Sequence, residues 1–345
     1  MEPVRFADRL VAAWYTPRLT ALTLPLAPLS AAFGAVVALR RAAYAHRWLP
    51  VHDLPVPVVV VGNLCVGGAG KTPLVAALVR ELAARGWRPG VVSRGYGGTA
   101  GRGDAAPVVV AADADPAVVG DEPLLLARRG VAVAVARDRV AAALALLAAH
   151  PQCDVVIADD GLQHYRLGRA VEIVVVDAAR GFGNGWLLPA GPLREPPSRL
   201  LQATAVVHHG AGAGRSLAGA AAGHAMTLEP GTWRRVDGRG EPLAAGAFAG
   251  QRAHAVAGIG HPPRFFAQLR AIGIVPVEHP FPDHHVFARG DLAFGDELPV
   301  LMTEKDAVKC GLFADERCWY LPVEARLDPT LVPRIEEKLR GSQAA

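Results

Sequence analysis

Residues 58–74, VVVVGNLCVGGAGKTPL, carry the densest chemistry in the chain. Gly67, Gly68, Ala69, Gly70, Lys71 and Thr72 make a glycine-rich turn that ends in an ammonium and a hydroxyl. A turn of this composition wraps polyphosphate in backbone N–H groups. Its lysine reaches the β/γ-phosphates, and its hydroxyl can hold Mg²⁺. Cys65 stands where the signature G-x-x-x-x-G-K-[ST] has glycine, so the turn reads as a variant phosphate loop. The competing reading is an ordinary glycine turn ahead of a helix. The pattern points to nucleotide binding.

Carboxylates recur where such a loop needs them. The apolar run Asp154–Ala158 ends in Asp159 and Asp160, the arrangement that sets an acid beside the loop's Mg²⁺. Asp121 and Glu122 follow Gly120 at a helix start. There they either favour the helix dipole or serve as a base or metal ligand near the triphosphate. Two glycine-rich loops offer acceptor-binding groups: Arg94 and Tyr96 in SRGYGG, then Arg180, Asn184 and Arg194 within 180–196. His164 lies just beyond the Asp159–Asp160 pair. His284 and His285 sit in the tight loop FPDHHVF, where an exposed turn and a catalytic site both fit. Thr303–Asp306 resembles a guanine-reading N-K-x-D element with its lysine displaced by one position, which favours ATP over GTP.

These residues need strands and helices to hold them. Val58–Val61 has no polar break and suits a buried parallel strand. Pro73 is tolerated in the first turn of the helix that follows. Short apolar runs at 91–93, 108–111, 131–136, 154–158 and 171–176 alternate with helical patterns. That alternation predicts an α/β fold: a P-loop NTPase-like, doubly wound, mostly parallel sheet with a second, smaller α/β domain. The expected organisation is a membrane-associating helical segment at 1–50, a P-loop core at 51–205, a linker with paired strands at 206–240, and a smaller α/β domain at 241–345. An alanine–glycine loop at 210–223 marks the boundary.

Of the 345 residues, 51% are hydrophobic and 20% charged, with net charge +4 and a pI near 9.0. No basic stripe interleaved with aromatics accompanies that charge, so nucleic acid is not the expected partner. A basic face near anionic lipid fits it better. Cys65, Cys153, Cys310 and Cys318 have neither metal-ligand spacing nor a disulfide framework, which suits a reducing cytosol. Cys65 reads as a small loop filler rather than a redox-sensitive thiol. Residues 19–39 are uncharged over about the length of a bilayer span. Pro25 and Pro28 are expected to kink a helix there near its middle, which favours a segment lying in the membrane interface over a spanning helix or a core hairpin.

Taken together, GNLCVGGAGKTP, SRGYGG, GDEPLLLA, DDGLQH, RGFGNG with LPAGPLREP, GIGHPPRFF, FPDHHVF and MTEKDAVKC resemble the tetraacyldisaccharide 4'-kinase family of Gram-negative bacteria. The resemblance implies ATP-dependent phosphorylation of the 4'-hydroxyl of a tetraacyl glucosamine disaccharide 1-phosphate, forming lipid IVA in lipid A biosynthesis. It implies catalytic roles for Asp121 and His284, and Mg²⁺ held by Thr72 with Glu122, Asp159 and Asp160. Arg94, Tyr96, His164, Asn184 and Arg194 are the residues expected to meet the sugar headgroup. The expected partners are a glycolipid and a membrane surface, for a monomer at the cytoplasmic face of the inner membrane. Asp121 would take the hydroxyl proton while His284 orients it or shares the charge, with closure of two lobes completing the site. A membrane-attached ATP-dependent switch without a small acceptor is the alternative.

Overall fold

A computed structural model describes residues 6–343 apart from 101, 104, 211–222 and 261. The body of the expected alanine–glycine loop, and His261, lie outside the described residues.

The chain opens with α1 (Phe6–Trp14) and α2 (Ala27–Ala45). Next, β1 (Val58–Gly62) feeds α3 (Lys71–Ala83), and β2 (Pro89–Ser93) follows. Then come β3 (Val108–Val109), α4 (Pro116–Val119), α5 (Asp121–Arg128), β4 (Ala132–Val135) and α6 (Arg139–Ala149). Three apolar strands, β5 (Val155–Asp159), β6 (Val171–Asp177) and β7 (Ala205–His209), precede β8 (Gly223–Pro230) and β9 (Arg234–Arg235). The remainder is β10 (Arg252–Ala257), α7 (Pro262–Ala271), β11 (Val275–Pro280), β12 (Val300–Thr303), α8 (Glu304–Cys310), β13 (Cys318–Leu321), β14 (Val323–Leu327) and α9 (Leu331–Gln343).

Two compact units divide the chain, and neither is a single continuous segment. The first holds Met1–Val91, Pro151–Thr227 and Leu327–Ala345; the second holds Val92–His150 and Leu228–Arg326. The division therefore does not follow the consecutive boundaries expected from sequence, because residues 92–150 cluster with the later part of the chain.

Six strands lie in the order β8-β7-β6-β1-β5-β2 within a nine-stranded sheet, and the first unit holds β7, β6, β1 and β5 entire, with the leading parts of β8 and β2. β1 runs parallel to β5 and β6, β6 to β7, and β7 to β8. Every residue of β1 is buried, as a central parallel strand covered on both faces requires. From β1 the chain passes beyond β5 to β2, and after β5 it crosses to the other side of β1. That reversal is where open α/β sheets bind ligands, at the carboxyl ends of the strands.

The amino-terminal helices are pinned to the same unit by polar contacts. Ser30 donates to the Leu187 carbonyl at 2.8 Å, and Trp14 Nε1 donates to the Pro189 carbonyl at 3.0 Å; each such bond contributes about 1 kcal/mol. The prolines do not kink α2. Pro25 lies in the 3₁₀ turn Leu24–Leu26 and Pro28 in the first turn of α2, where no helical N–H partner is lost, so the helix runs unbroken for 19 residues.

In the second unit a five-stranded sheet has the order β11-β10-β12-β13-β9, parallel except for β9. Its core gathers Trp233, Phe248, Phe265, Phe266 and Leu301. β8 and β9 do not pair with each other as expected. β8 lies parallel to β7, whereas β9 lies antiparallel to β13.

Candidate active site

The phosphate loop occupies the first unit. Gly70, the residue before α3, has φ +88°, and a Cβ there would meet His209 Nδ1 at 2.8 Å. Backbone hand and packing both require glycine at that position. His209 in turn meets the Ala69 carbonyl at 3.1 Å and braces the loop from β7. Asn63, at the end of β1, donates from Nδ2 to the Gly67 carbonyl at 3.2 Å. Its Oδ1 accepts from Lys71 Nζ at 3.2 Å and also from Arg194.

Asp159 and Asp160 differ in their partners. Asp159 ends β5 opposite Val61 of β1, is buried, and accepts from Thr72 Oγ1 at 3.5 Å. Asp160, in the left-handed region at φ +47°, pairs with Arg194 at 3.0 Å and Lys71 at 3.6 Å. A hydroxyl beside a buried carboxylate is the hard-oxygen set that suits Mg²⁺, an ion usually held by one or two carboxylates together with substrate phosphates. No cluster of three or more His, Cys, Asp or Glu able to hold a metal occurs among the described residues. Cys65 is a filler by chemistry as well as by position. Burial pushes its thiol up to about 11, Arg194 opposing and Asp177 adding to the shift.

Asp121 and His284 both belong to the second unit, not to the separate domains expected from sequence. Asp121 starts α5 and is buried; His284 Nδ1 lies 3.1 Å from Asp121 Oδ2 across 163 residues of chain. His284 has φ +60°, a conformation that non-glycine residues adopt mainly where function or packing holds them. The Tyr96 ring stands edge-on to the imidazole, with centroids 5.0 Å apart. Gly97, at φ +88°, closes against the same ring.

Two lysines that sequence reasoning did not select complete the cluster. Lys309 Nζ lies 3.7 Å from Asp121 Oδ2, and Lys305 Nζ lies 3.4 Å from His284 Nε2. Glu122 pairs with Lys305 at 3.6 Å, in the second unit, whereas Thr72 and Asp159 lie in the first.

The residues expected at the headgroup fall in both units. Arg94 and Tyr96 are exposed on the loop after β2. His164 is half-buried in the turn after β5. Asn184 uses its amide inside its own loop, donating to the Ala190 carbonyl at 2.9 Å and accepting from Trp186 N at 3.1 Å. Arg194 is part of the phosphate-loop wall through Asn63 and Asp160. Both therefore hold the shape of the loops they belong to. Asn63 was also missed in the sequence. Its signal was a polar residue at the carboxyl end of a fully apolar strand, just ahead of the glycines.

A parallel α/β sheet whose central strand empties into this loop, with a buried Asp on the neighbouring strand, defines a P-loop nucleotide-binding protein of the kinase type. The family model LpxK, tetraacyldisaccharide-1-P 4'-kinase, matches residues 22–340. The chain belongs to that family. It is 55% identical over 321 residues to the tetraacyldisaccharide 4'-kinase of Alkalilimnicola ehrlichii, covering 91% of this chain and 92% of that one. It is 51% identical over 335 residues to the enzyme of the same name from Chromobacterium violaceum, covering 95% and 96%. A crystal structure of LpxK from Aquifex aeolicus in complex with ATP superimposes with a TM-score of 0.77 at 28% identity, over 92% of this chain and 99% of that one.

Proposed function

We propose that the protein transfers the γ-phosphoryl group of ATP to the 4'-hydroxyl of a tetraacyl glucosamine disaccharide 1-phosphate, with Asp121 as the base. A sugar hydroxyl is a weak nucleophile, so its proton must leave as the O–P bond forms. The Asp121–His284 hydrogen bond is the observation that carries this reading: it holds a buried carboxylate in a fixed direction, 3.1 Å from its partner. Lys71 and the backbone of Gly67–Gly70 bind the triphosphate and balance charge as it moves to the leaving group. Thr72 and Asp159 would hold Mg²⁺, which when bound neutralises phosphate oxygens. Asp160, already paired with two cations, is better suited to orienting Lys71 and Arg194. Arg94 and Tyr96, both exposed on the loop after β2, would meet the headgroup. Transfer requires the phosphate loop and the dyad to act on one phosphoryl group.

Attachment to the cytoplasmic membrane face is part of the same proposal. Leu24, Leu29, Val36 and Leu39 are all exposed, and the helix Leu24–Ala45 is long and apolar enough to cross a membrane. Anchoring of its other face through Ser30 and Arg41 suits a helix lying in the interface.

The test is incubation with ATP labelled at the γ-phosphate and the glycolipid in mixed micelles. Label in the lipid is the expected result, and Asp121→Asn should lower kcat by about 10²–10⁴-fold. Release of label only as inorganic phosphate would replace the kinase reading with that of an ATP-driven switch.

A further inference from the structure

The helix α8 leaves β12 through Thr303, whose side chain accepts from Asp306 N as an N-cap. Lys305 and Lys309 are four residues apart, so both project from one face of the helix. Each lysine reaches a different member of the dyad. Lys309 Nζ stands between Asp306 Oδ1 at 2.9 Å and Asp121 Oδ2 at 3.7 Å, with the Phe287 ring beneath it at 5.0 Å. Asp306 is fully buried and is itself fixed by Thr303 Oγ1 at 2.6 Å and Gly258 N at 3.0 Å. Lys305 Nζ lies 3.4 Å from His284 Nε2, 3.2 Å from Asp283 Oδ1 and 3.6 Å from Glu122 Oε1.

The chemistry of these groups fixes the proton on the imidazole. Two groups face His284 Nε2: the Lys305 ammonium at 3.4 Å and Asp283 Oδ1 at 3.8 Å. The carboxylate is beyond hydrogen-bond reach and itself accepts from Lys305 at 3.2 Å. An ammonium donates only, so the nitrogen within its reach presents a lone pair. The ring's single proton then sits on Nδ1, the atom that faces the Asp121 carboxylate. Glu122 at 3.6 Å and Asp283 at 3.2 Å surround the Lys305 nitrogen with carboxylates, the partners a buried ammonium needs.

Resting on the reading of Asp121 and His284 as the proton-handling pair, we propose that α8 is the positioning element of that pair: Lys305 fixes His284 as the neutral Nδ1–H tautomer, and Lys309 holds the Asp121 carboxylate to receive its hydrogen bond. An imidazolium would turn an N–H toward the ammonium, so His284 orients the base and does not share its proton. In the transfer, the sugar O–H bond breaks and its proton passes to Asp121. The O4'–Pγ bond forms, the bond from Pγ to the bridging oxygen breaks, and ADP leaves with that electron pair. His284 keeps its own Nδ1 proton throughout.

The experiment is ¹⁵N NMR of the full-length protein labelled at histidine, with the His284 signals assigned by comparison with His284→Gln. The wild type should show a protonated Nδ1 and an unprotonated Nε2. Lys305→Met should move His284 toward the Nε2–H form and lower kcat by about 10–100-fold at little changed KM for ATP, a cost typical of small misplacements. Lys305→Arg, which keeps a donor and a charge, should restore the Nδ1–H signature and much of the rate. Asp283 and Glu122 are both partly solvated, so the methionine variant leaves no buried charge uncompensated. A wild-type ring protonated at Nε2 or at both nitrogens would overturn the proposal, as would an unchanged tautomer in Lys305→Met. Undiminished turnover in His284→Gln would instead sink the dyad itself, a separate outcome from either.

Discussion

Replacing Gly97 with alanine tests the dyad without touching a chemical group. Gly97 has φ +88°, and left-handed backbone costs an alanine about 1–2 kcal/mol. The added Cβ would lie 2.9 Å from His284 Nδ1. Reaching an ordinary contact of ~3.5 Å requires the ring to retreat by about 0.6 Å. The hydrogen bond to Asp121 already stands at 3.1 Å, toward the long end of the useful range, so a shift of that size away from the carboxylate would break it. The expected loss in kcat is about 10²-fold, or roughly 2.7 kcal/mol in the barrier. The KM for ATP should hold, because Lys71 and its loop belong to the other unit. Micellar glycolipid assays with ATP varied would separate the two constants, and a thermal melt should show the backbone cost as a fall of about 2–8 °C. A melt lowered as expected alongside wild-type kcat would refute the claim that ring position governs turnover.

Lys71→Ala should raise the KM for ATP and lower kcat, each by about 10–100-fold, since it removes a charge-assisted contact to phosphate. The fold should survive because Asp160 keeps Arg194 at 3.0 Å; normal activity would contradict the phosphate-loop reading. Leu29→Glu combined with Leu39→Glu places charge on the exposed face of α2 and should release the protein from anionic lipid vesicles in flotation, with unchanged flotation counting against attachment through this face. The Cys65 thiol, raised to about 11, is protonated at neutral pH and forms thiolate only as pH climbs toward that value. Cys65 should therefore resist iodoacetamide at neutral pH in the folded protein; rapid alkylation detected by mass spectrometry would show a reactive thiol instead.

Features that depend on neighbouring residues could be read from the sequence. Four valines before a glycine turn gave the buried strand, and Gly-Lys-Thr gave the start of α3, because strand burial and loop geometry are written within a few residues of each other. The prolines misled because their effect depends on register. Pro25 in the preceding 3₁₀ turn and Pro28 in the first turn of α2 leave the helix straight, whereas in its middle they would bend it. The partners of Asn184 and Arg194 inside the fold were not legible, because polar residues in a glycine-rich loop serve a substrate or the loop with the same atoms, and spacing does not distinguish the two. Domain boundaries failed for a topological reason: residues 92–150 join a unit whose other half begins at 228, and no local pattern announces a chain that leaves a unit and returns.

The same return explains why the dyad's supports were invisible. A carboxylate at the start of α5 and an imidazole in a loop 163 residues later give no hint of each other in sequence; the resemblance paired them, but it did not identify what holds them. Lys305 and Lys309, with acids before and between them on a short helix, look like an ordinary solvated charge pattern. Their side chains are only 18% and 7% exposed, which excludes that reading. Burial of an ammonium is unfavourable unless anions surround it, and the anions here include Asp121 itself. Neutralising Asp121 by mutation would therefore weaken the environment of both lysines, and neutralising a lysine would alter the dyad. The base and its positioning helix form one electrostatic unit, so single substitutions at Asp121, Lys305 and Lys309 should be non-additive when combined.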